Sequence, residues 1–481
     1  MTIGSDLARG VKWVAGAKLA AQVITWGVTI YVMRLLAPSD YGLLAMCMVV
    51  IGLLTMFAEV GLGPALIQRK EISEQDLRQA MGVIWLANLG LCLLTNLLAP
   101  LVAALYGQPR LQPVMHVLSL QFILLPLVVV PDVLLQRRLE YKQRSLIELS
   151  GALVGSQATL LLAIFDCGVW SLVGGMLAQQ LWRVGALNWC VPGQPWPLWK
   201  LQGMGSLLGF GGNVTATRLL WYSFMQADVA IVGRVLGDQL LGWYSVSMHL
   251  ASLPMQRIAG ILNHVLFPIM ARSQHDLPAI RHGVLQVLGY VSVLAFPMMW
   301  GMACVAPELV SVVLGPDWQG AVLPLQVLCL VMPFRTLAQL LPAVVDAVGQ
   351  TGVNLRNVLL ACLVMPPAFY LGTHWGIKGV AYAWLLAYPV VLLANMRRML
   401  QVLGLRAGQV LGRIGPTILC SGLMAGAVTA LRPQLAAQPR PWALAAEVLG
   451  GVLAYGLASL LFNRDMVREV RSRIGRRAAA S

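Results

Sequence analysis

Apolar runs of about twenty residues recur along this chain from one end to the other. As a helix, a run of that length crosses the roughly 30 Å of hydrocarbon in a bilayer. Unpaired backbone N–H and C=O groups are too costly in lipid, so each run must close its hydrogen bonds internally. The alternation of roughly ten-residue segments that a membrane β-barrel needs is absent. Only 11% of the 481 residues are charged and 58% are hydrophobic, against roughly 25% charged in a soluble domain. The expected fold is an all-α polytopic membrane protein.

The runs predict fourteen spans, at about 11–33, 42–68, 79–106, 113–135, 147–165, 169–191, 206–233, 240–268, 283–306, 321–345, 355–372, 377–396, 414–431 and 442–463. With this division 23 basic residues fall on the side of the termini and six on the other: Arg34, Arg110, Arg234, Lys378, Arg432 and Arg440. Basic loops stay in the cytoplasm, so both termini are expected there. The net charge of +15 is thus a topology signal that points to anionic headgroups, not to nucleic acid. Eight scattered cysteines without a CxxC pair read as small buried hydrophobes. Basic residues precede the first run, but the run is long and carries Lys18, so it reads as an uncleaved span.

The segment Phe210–Tyr244 copies an earlier one at an offset of 200 residues: Lys18 matches Arg218, Arg34 matches Arg234, Leu36 matches Leu236 and Gly42 matches Gly242. Further on, Leu105–Gly107 aligns with Val313–Gly315, Val117–Leu120 with Val327–Leu330, and Gly168 with Gly376, at offsets of 208, 210 and 208. The expected organisation is a six-helix lobe (1–195), a cytoplasmic linker rich in Pro and Gly (196–205) and a second six-helix lobe (206–396). A linker with helices thirteen and fourteen (397–463) and a basic tail (464–481) follow. An even number of spans per copy gives both the same orientation, related by an axis along the membrane normal with a substrate path between them.

Four stretches carry a family resemblance: Arg34–Gly42 (RLLAPSDYG), Glu59–Ser73 (EVGLGPALIQRKEIS), Asp228–Tyr244 (DVAIVGRVLGDQLLGWY) and Leu314–Leu328 (LGPDWQGAVLPLQVL). Together they resemble bacterial O-antigen, capsule and exopolysaccharide flippases of the multidrug/oligosaccharidyl-lipid/polysaccharide exporter superfamily. The resemblance implies two pseudo-symmetric six-helix bundles that alternate between inward-open and outward-open forms. It implies a substrate too, an oligosaccharide on undecaprenyl pyrophosphate carried from the cytoplasmic to the periplasmic leaflet. A polysaccharide polymerase and chain-length machinery are the partners it suggests.

A cation at mid-span costs about 2.5–3.5 kcal/mol on insertion scales and so faces protein or water. Lys18, Arg218, Arg257 and Arg335 all lie inside spans. Lys18 shares a helix face with Gln22, Thr25 and Thr29, Arg218 with Thr215 and Tyr222, Arg257 with His264, and Arg335 with Gln339 and Asp346. Converging on one cavity, these cations would bind a pyrophosphate or an acidic sugar. In the competing account each pairs with Glu59, Asp228, Glu148 or Asp346 and only fixes packing. Glu59 is either such a partner or a proton-coupling acid. The matched turns hold Arg34 with Asp40 and Arg234 with Asp238. These could pair crosswise as a periplasmic gate, or the aspartates could cap helices two and eight.

Pro126, Pro131, Pro254, Pro268, Pro342, Pro366 and Pro367 interrupt spans and could serve as hinges. His116, His249 and His264 lack metal-ligand spacing, and no HExxH or Walker loop occurs, so neither a cofactor, a metal nor direct ATP use is expected. The alternatives are a multidrug antiporter, which would want an acidic cavity, and a peptidoglycan lipid-precursor flippase with the same span count. A membrane-embedded polysaccharide polymerase fits less well, because its catalytic residues would need a sizeable periplasmic loop.

Overall fold

The computed structural model describes residues 22–58, 73–193, 196–199, 205–272, 277–347, 350–435, 437–464 and 468–469. Of these, the side chains of 76, 205–218, 256–272, 277, 343, 346, 347 and 351 lie outside the description. Every regular element among the described residues is helical. In the first half they are α1 (22–35), α2 (Pro38–Ala58), α3 (Glu74–Tyr106), α4 (Leu111–Leu118), α5 (Leu120–Leu124), α6 (Pro126–Arg137), α7 (Tyr141–Ile164) and α8 (Val169–Cys190). The stretch Gly205–Arg272 is broken at Gly237, whose φ of 84° and ψ of −177° no helix contains. It therefore comprises α9 (205–236) and α10 (238–272). After it come α11 (Leu277–Leu309), a π turn (Val310–Leu314), a 3-10 turn (Pro316–Ala321), α12 (Val322–Ala338) and α13 (Leu341–Ala347). The last are α14 (Thr351–Thr373), α15 (Gly376–Leu386), α16 (Tyr388–Leu403), α17 (Ala407–Leu435) and α18 (Arg440–Phe462).

Ten described segments are long and apolar enough to cross a membrane, and α4 to α6, bent by 40° before Pro126, make eleven as one span. Separating α9 from α10, and adding α1 and the more polar α8 with its Gln179, Gln180, Arg183 and Asn188, brings the spans to fourteen, as the sequence predicts. Their outer faces are built for lipid. Leu93, Leu97, Leu101 and Leu105 form one row on α3, and Leu449, Leu453 and Leu457 another on α18, each more than half exposed. Continuous apolar rows of that size are not tolerated in water.

Four glycines that align between the repeats share a backbone requirement. Gly107 and Gly315 end helices, Gly168 precedes α8 and Gly376 opens α15, all at positive φ, where a Cβ would be strained. After α3 the Gly107 and Gln108 N–H groups return to Ala104 O and Ala103 O, closing the helix in a Schellman turn.

Two compact units emerge, Met1–Gly242 and Trp243–Ser481. In the first, α7 and α8 pack backbone to backbone: a Cβ on Gly155 would lie 3.0 Å from Gly175 O, and one on Gly175 2.9 Å from Gly155 O. Small residues are what allow helices to approach this closely in a membrane. The segment 196–199 is pinned to the start of α3, with Leu198 N–H donating to Arg78 O at 2.9 Å and Arg78 Nε to Trp196 O at 3.2 Å. Gly82 makes the room, since a Cβ there would stand 2.2 Å from Leu198 O. In the second unit α11 is the hub, packed by α12, α17 and α18. Its Phe296 is fully buried, edge-on to Trp300 and Phe334.

Candidate functional site

Lys18 and Glu59 lie outside the described residues, as do the side chains of Arg218, Arg257 and Asp346. Tyr222, further along α9, packs on α2. Its hydroxyl lies 2.8 Å from Met48 O and 3.2 Å from Val49 O of α2, and Gln226 Nε2 donates to it at 3.3 Å. The notch that receives it is Gly52, where a Cβ would stand 2.1 Å from the Tyr222 oxygen. Further along, Gly233 packs against Met46 of α2 and Tyr106 of α3. Thus α9, which opens the second sequence repeat, is built into the same unit as the first six spans. Asp228 is buried on this helix, and Val229 N–H donates to its Oδ1 at 2.8 Å.

At the repeat-matched turns the chain crosses itself reciprocally. A Cβ on Gly42 would fall 1.8 Å from Asp238 O, and a Cβ on Gly242 would fall 1.8 Å from Pro38 O. Residues 38 and 42 match 238 and 242 at the offset of 200, so the crossing is locally twofold. The carboxylates at this crossing accept backbone hydrogen bonds. Ala37 N–H donates to Asp40 Oδ2 at 3.2 Å, the return bond of a capping box. Asp40 also takes a hydrogen bond from the N–H of Val169, the first residue of α8. Asp238 Oδ1 accepts from Gln239 N–H at 3.0 Å. The charges acting on Asp40 are Arg110 and Asp238, while Arg34 and Arg234 stand exposed. Arg110, which the sequence reading counted only for topology, thus belongs to the crossing.

In the second unit Arg335 is half-buried on α12 with its guanidinium 4.8 Å from the centre of the Trp384 ring. Trp384 is itself buried and donates through Nε1 to the Tyr244 hydroxyl at 2.7 Å. Phe369 and Tyr388 pack against it at 5.2 and 5.5 Å. A guanidinium held over the face of a fixed indole gains a cation–π attraction and gives up rotamer freedom.

Several polar groups have partners that the sequence reading did not assign. Asn96 of α3 donates to Ser119 Oγ at 2.9 Å and faces His116 Nδ1 of α4 across 2.5 Å, so His116 completes a network within the first unit. Arg144 of α7 bonds Asp132 of α6 at 2.8 Å and Glu148 at 3.6 Å. Glu148, one of the acids considered for the central cations, is thus engaged with Arg144. Arg432 of α17 grips Glu308 of α11 with two nitrogens. No group of three His, Cys, Asp or Glu residues that could hold a metal occurs among the described residues.

Fourteen spans, a repeated sequence whose turn glycines recur in position and conformation, and polar faces within apolar spans define a multi-pass membrane transporter. The chain belongs to the polysaccharide biosynthesis protein family, whose model matches residues 31–323. It is similar to the lipopolysaccharide biosynthesis protein WzxC of Escherichia coli (strain K12), 27% identical over 408 residues covering 80% of this chain and 79% of that one. It is likewise similar to the succinoglycan biosynthesis transport protein ExoT of Rhizobium meliloti (strain 1021), 25% identical over 394 residues, 80% of this chain and 78% of that one. The lipid II flippase MurJ, solved in an inward closed conformation, shares the fold with a TM-score of 0.74 at 13% identity, over 93% of this chain and 99% of that one.

Proposed function

We propose that this chain is a flippase that moves oligosaccharide repeat units linked to undecaprenyl pyrophosphate from the cytoplasmic to the periplasmic leaflet, by alternating access, for surface polysaccharide biosynthesis. It is a transporter and not an enzyme. The observation that carries the reading is membership of the polysaccharide biosynthesis protein family over residues 31–323. It is supported by relatives whose names join lipopolysaccharide biosynthesis and succinoglycan transport to this sequence. The excess of basic residues on one side supports cytoplasmic termini in an inner membrane. Lys18, Arg218 and Arg257, with Arg335, are the groups proposed to hold the pyrophosphate or an acidic sugar, since phosphate oxygens taken out of water seek charged donors. A polymerase and chain-length machinery would receive the unit on the far side.

The test is genetic and chemical together. Deleting the gene should remove one surface polymer and leave its lipid-linked unit on the cytoplasmic face, and restoring the gene should reverse both. A deletion strain that exports every surface polymer normally would refute the reading.

A further inference from the structure

Glu447 lies on α18, about 10 Å along the helix from Arg440, and is 1% exposed. No described N–H group hydrogen-bonds either of its carboxylate oxygens, and the hydrogen-bonding neighbour of its side chain is the Glu308 carboxyl. The charged groups acting on it are Glu308 of α11 and Arg432 of α17. Arg432 already commits its fork to Glu308: Nη2 lies 2.7 and 2.9 Å from the two oxygens, and Nε lies 3.1 Å from one of them. Cys304, one turn before Glu308, is the other titratable group from α11. The π turn Val310–Leu314, also packed on α18, supplies none.

The charge balance sets the state of Glu447. One guanidinium faces two carboxylates and is already bidentate on one of them. An ionised carboxylate buried with no donor is far worse placed than a neutral acid. A neutral acid has an O–H to offer its Glu308 neighbour. A metal ion would need more ligands than are gathered here, for no group of three such residues occurs among the described ones.

We infer that Glu447, Glu308 and Arg432 form a reversible proton-binding site, and that its loading and unloading couple transport to a proton gradient. Loading adds one proton from water to the Glu447 carboxylate, and unloading returns it. In the loaded state Arg432 rests on Glu308 alone. Once Glu447 is ionised, Arg432 is shared between two carboxylates, which draws α18 toward α11 and α17. These are the last two spans with one helix of the second lobe, and α17 and α18 have no counterpart in the first repeat.

The coupling rests on the transport reading, whereas proton binding does not, so the two are measured separately. pH-difference infrared spectra of the purified protein in proteoliposomes, with no substrate present, should show a protonated-carboxyl band at acidic pH that disappears on alkalinisation. Glu447→Gln should remove it while the melting temperature stays near wild type. Glu308→Gln should remove it too, because Arg432 is then free to hold Glu447 ionised. A band that ignores pH, or that survives in E447Q, would overturn the site. In cells, collapse of a one-unit pH gradient by nigericin removes about a tenfold bias on the loaded state. It should slow polymer export in wild type and leave E447Q at its own unchanged rate; equal sensitivity in both would overturn the coupling. A chain that exports nothing would still report its proton in the infrared experiment.

Discussion

The backbone carbonyl of Asp238 occupies the place where a side chain on Gly42 would begin, 1.8 Å from the ideal Cβ position. Gly242 and Pro38 repeat the relationship at the same 1.8 Å. Since the obstacle is backbone on both sides, neither partner can yield by turning a rotamer. Gly42→Ala and Gly242→Ala should each destabilise the protein by about 1–3 kcal/mol, the usual cost of overpacking. Thermal melting in detergent should show similar losses for the two variants. A loss in one and none in the other would mean that the local twofold does not hold.

The docking of α9 on α2 makes a sharper test possible. Tyr222→Phe removes the hydroxyl that meets Met48 O and Val49 O and should cost about 1 kcal/mol. Gly52→Ala places a methyl 2.1 Å from that same oxygen and should cost more. With the oxygen gone, the alanine meets less resistance, so the double variant should be more stable than the sum of the two losses implies. Additive losses in a double-mutant cycle would place the two residues apart.

Such relationships mark the boundary of what the chain's own text discloses. Spans were legible because a run of about twenty apolar residues has one stable form in lipid. The break at Gly237 was legible because the offset of 200 aligns it with the turn at Ala37. The seat of 196–199 on Gly82 was not, since a backbone-to-backbone bond depends on no side chain. Arg432 entered the sequence reading only as a loop charge. Glu308 and Glu447 passed unremarked, although two acids within turns of apolar span ends were a usable signal. What was missing was adjacency: 124 residues separate Glu308 from Arg432, and no periodicity bridges such a distance.

Arg335 offers a direct probe of the cationic reading. Its guanidinium lies over the Trp384 ring, a contact that a lysine keeps in charge but not in shape. On the proposed role, Arg335→Ala should cut flipping of the lipid-linked unit at least about tenfold, the equivalent of 1.4 kcal/mol. Arg335→Lys should retain part of the activity. Equal, full activity in both would reduce Arg335 to a packing residue.

The repeat-matched cations Lys18 and Arg218 are proposed to act on the same headgroup. Replacing both by glutamine should abolish polymer export while the protein still reaches the membrane in normal amount. Membrane-fraction immunoblots and surface-polymer staining read the two halves of that expectation. Normal export by the double variant would remove the pair from the mechanism.

The matched turns distinguish capping from gating. Asp40 gathers the Ala37 and Val169 N–H groups, tying the starts of α2 and α8, and Asp238 holds Gln239 N–H. A carboxylate used this way can be replaced by another acceptor at little loss. Asp40→Asn should therefore be nearly neutral, while Asp40→Ala should cost about 1 kcal/mol, the typical value of a lost cap. A crosswise gate makes the opposite demand, because it needs opposite charges at Arg34 and Asp238. Should Arg34→Asp abolish export, the swap Arg34→Asp with Asp238→Arg should leave it abolished if the aspartates only cap. Recovery of export in the swap would establish the pairing in another state of the transport cycle.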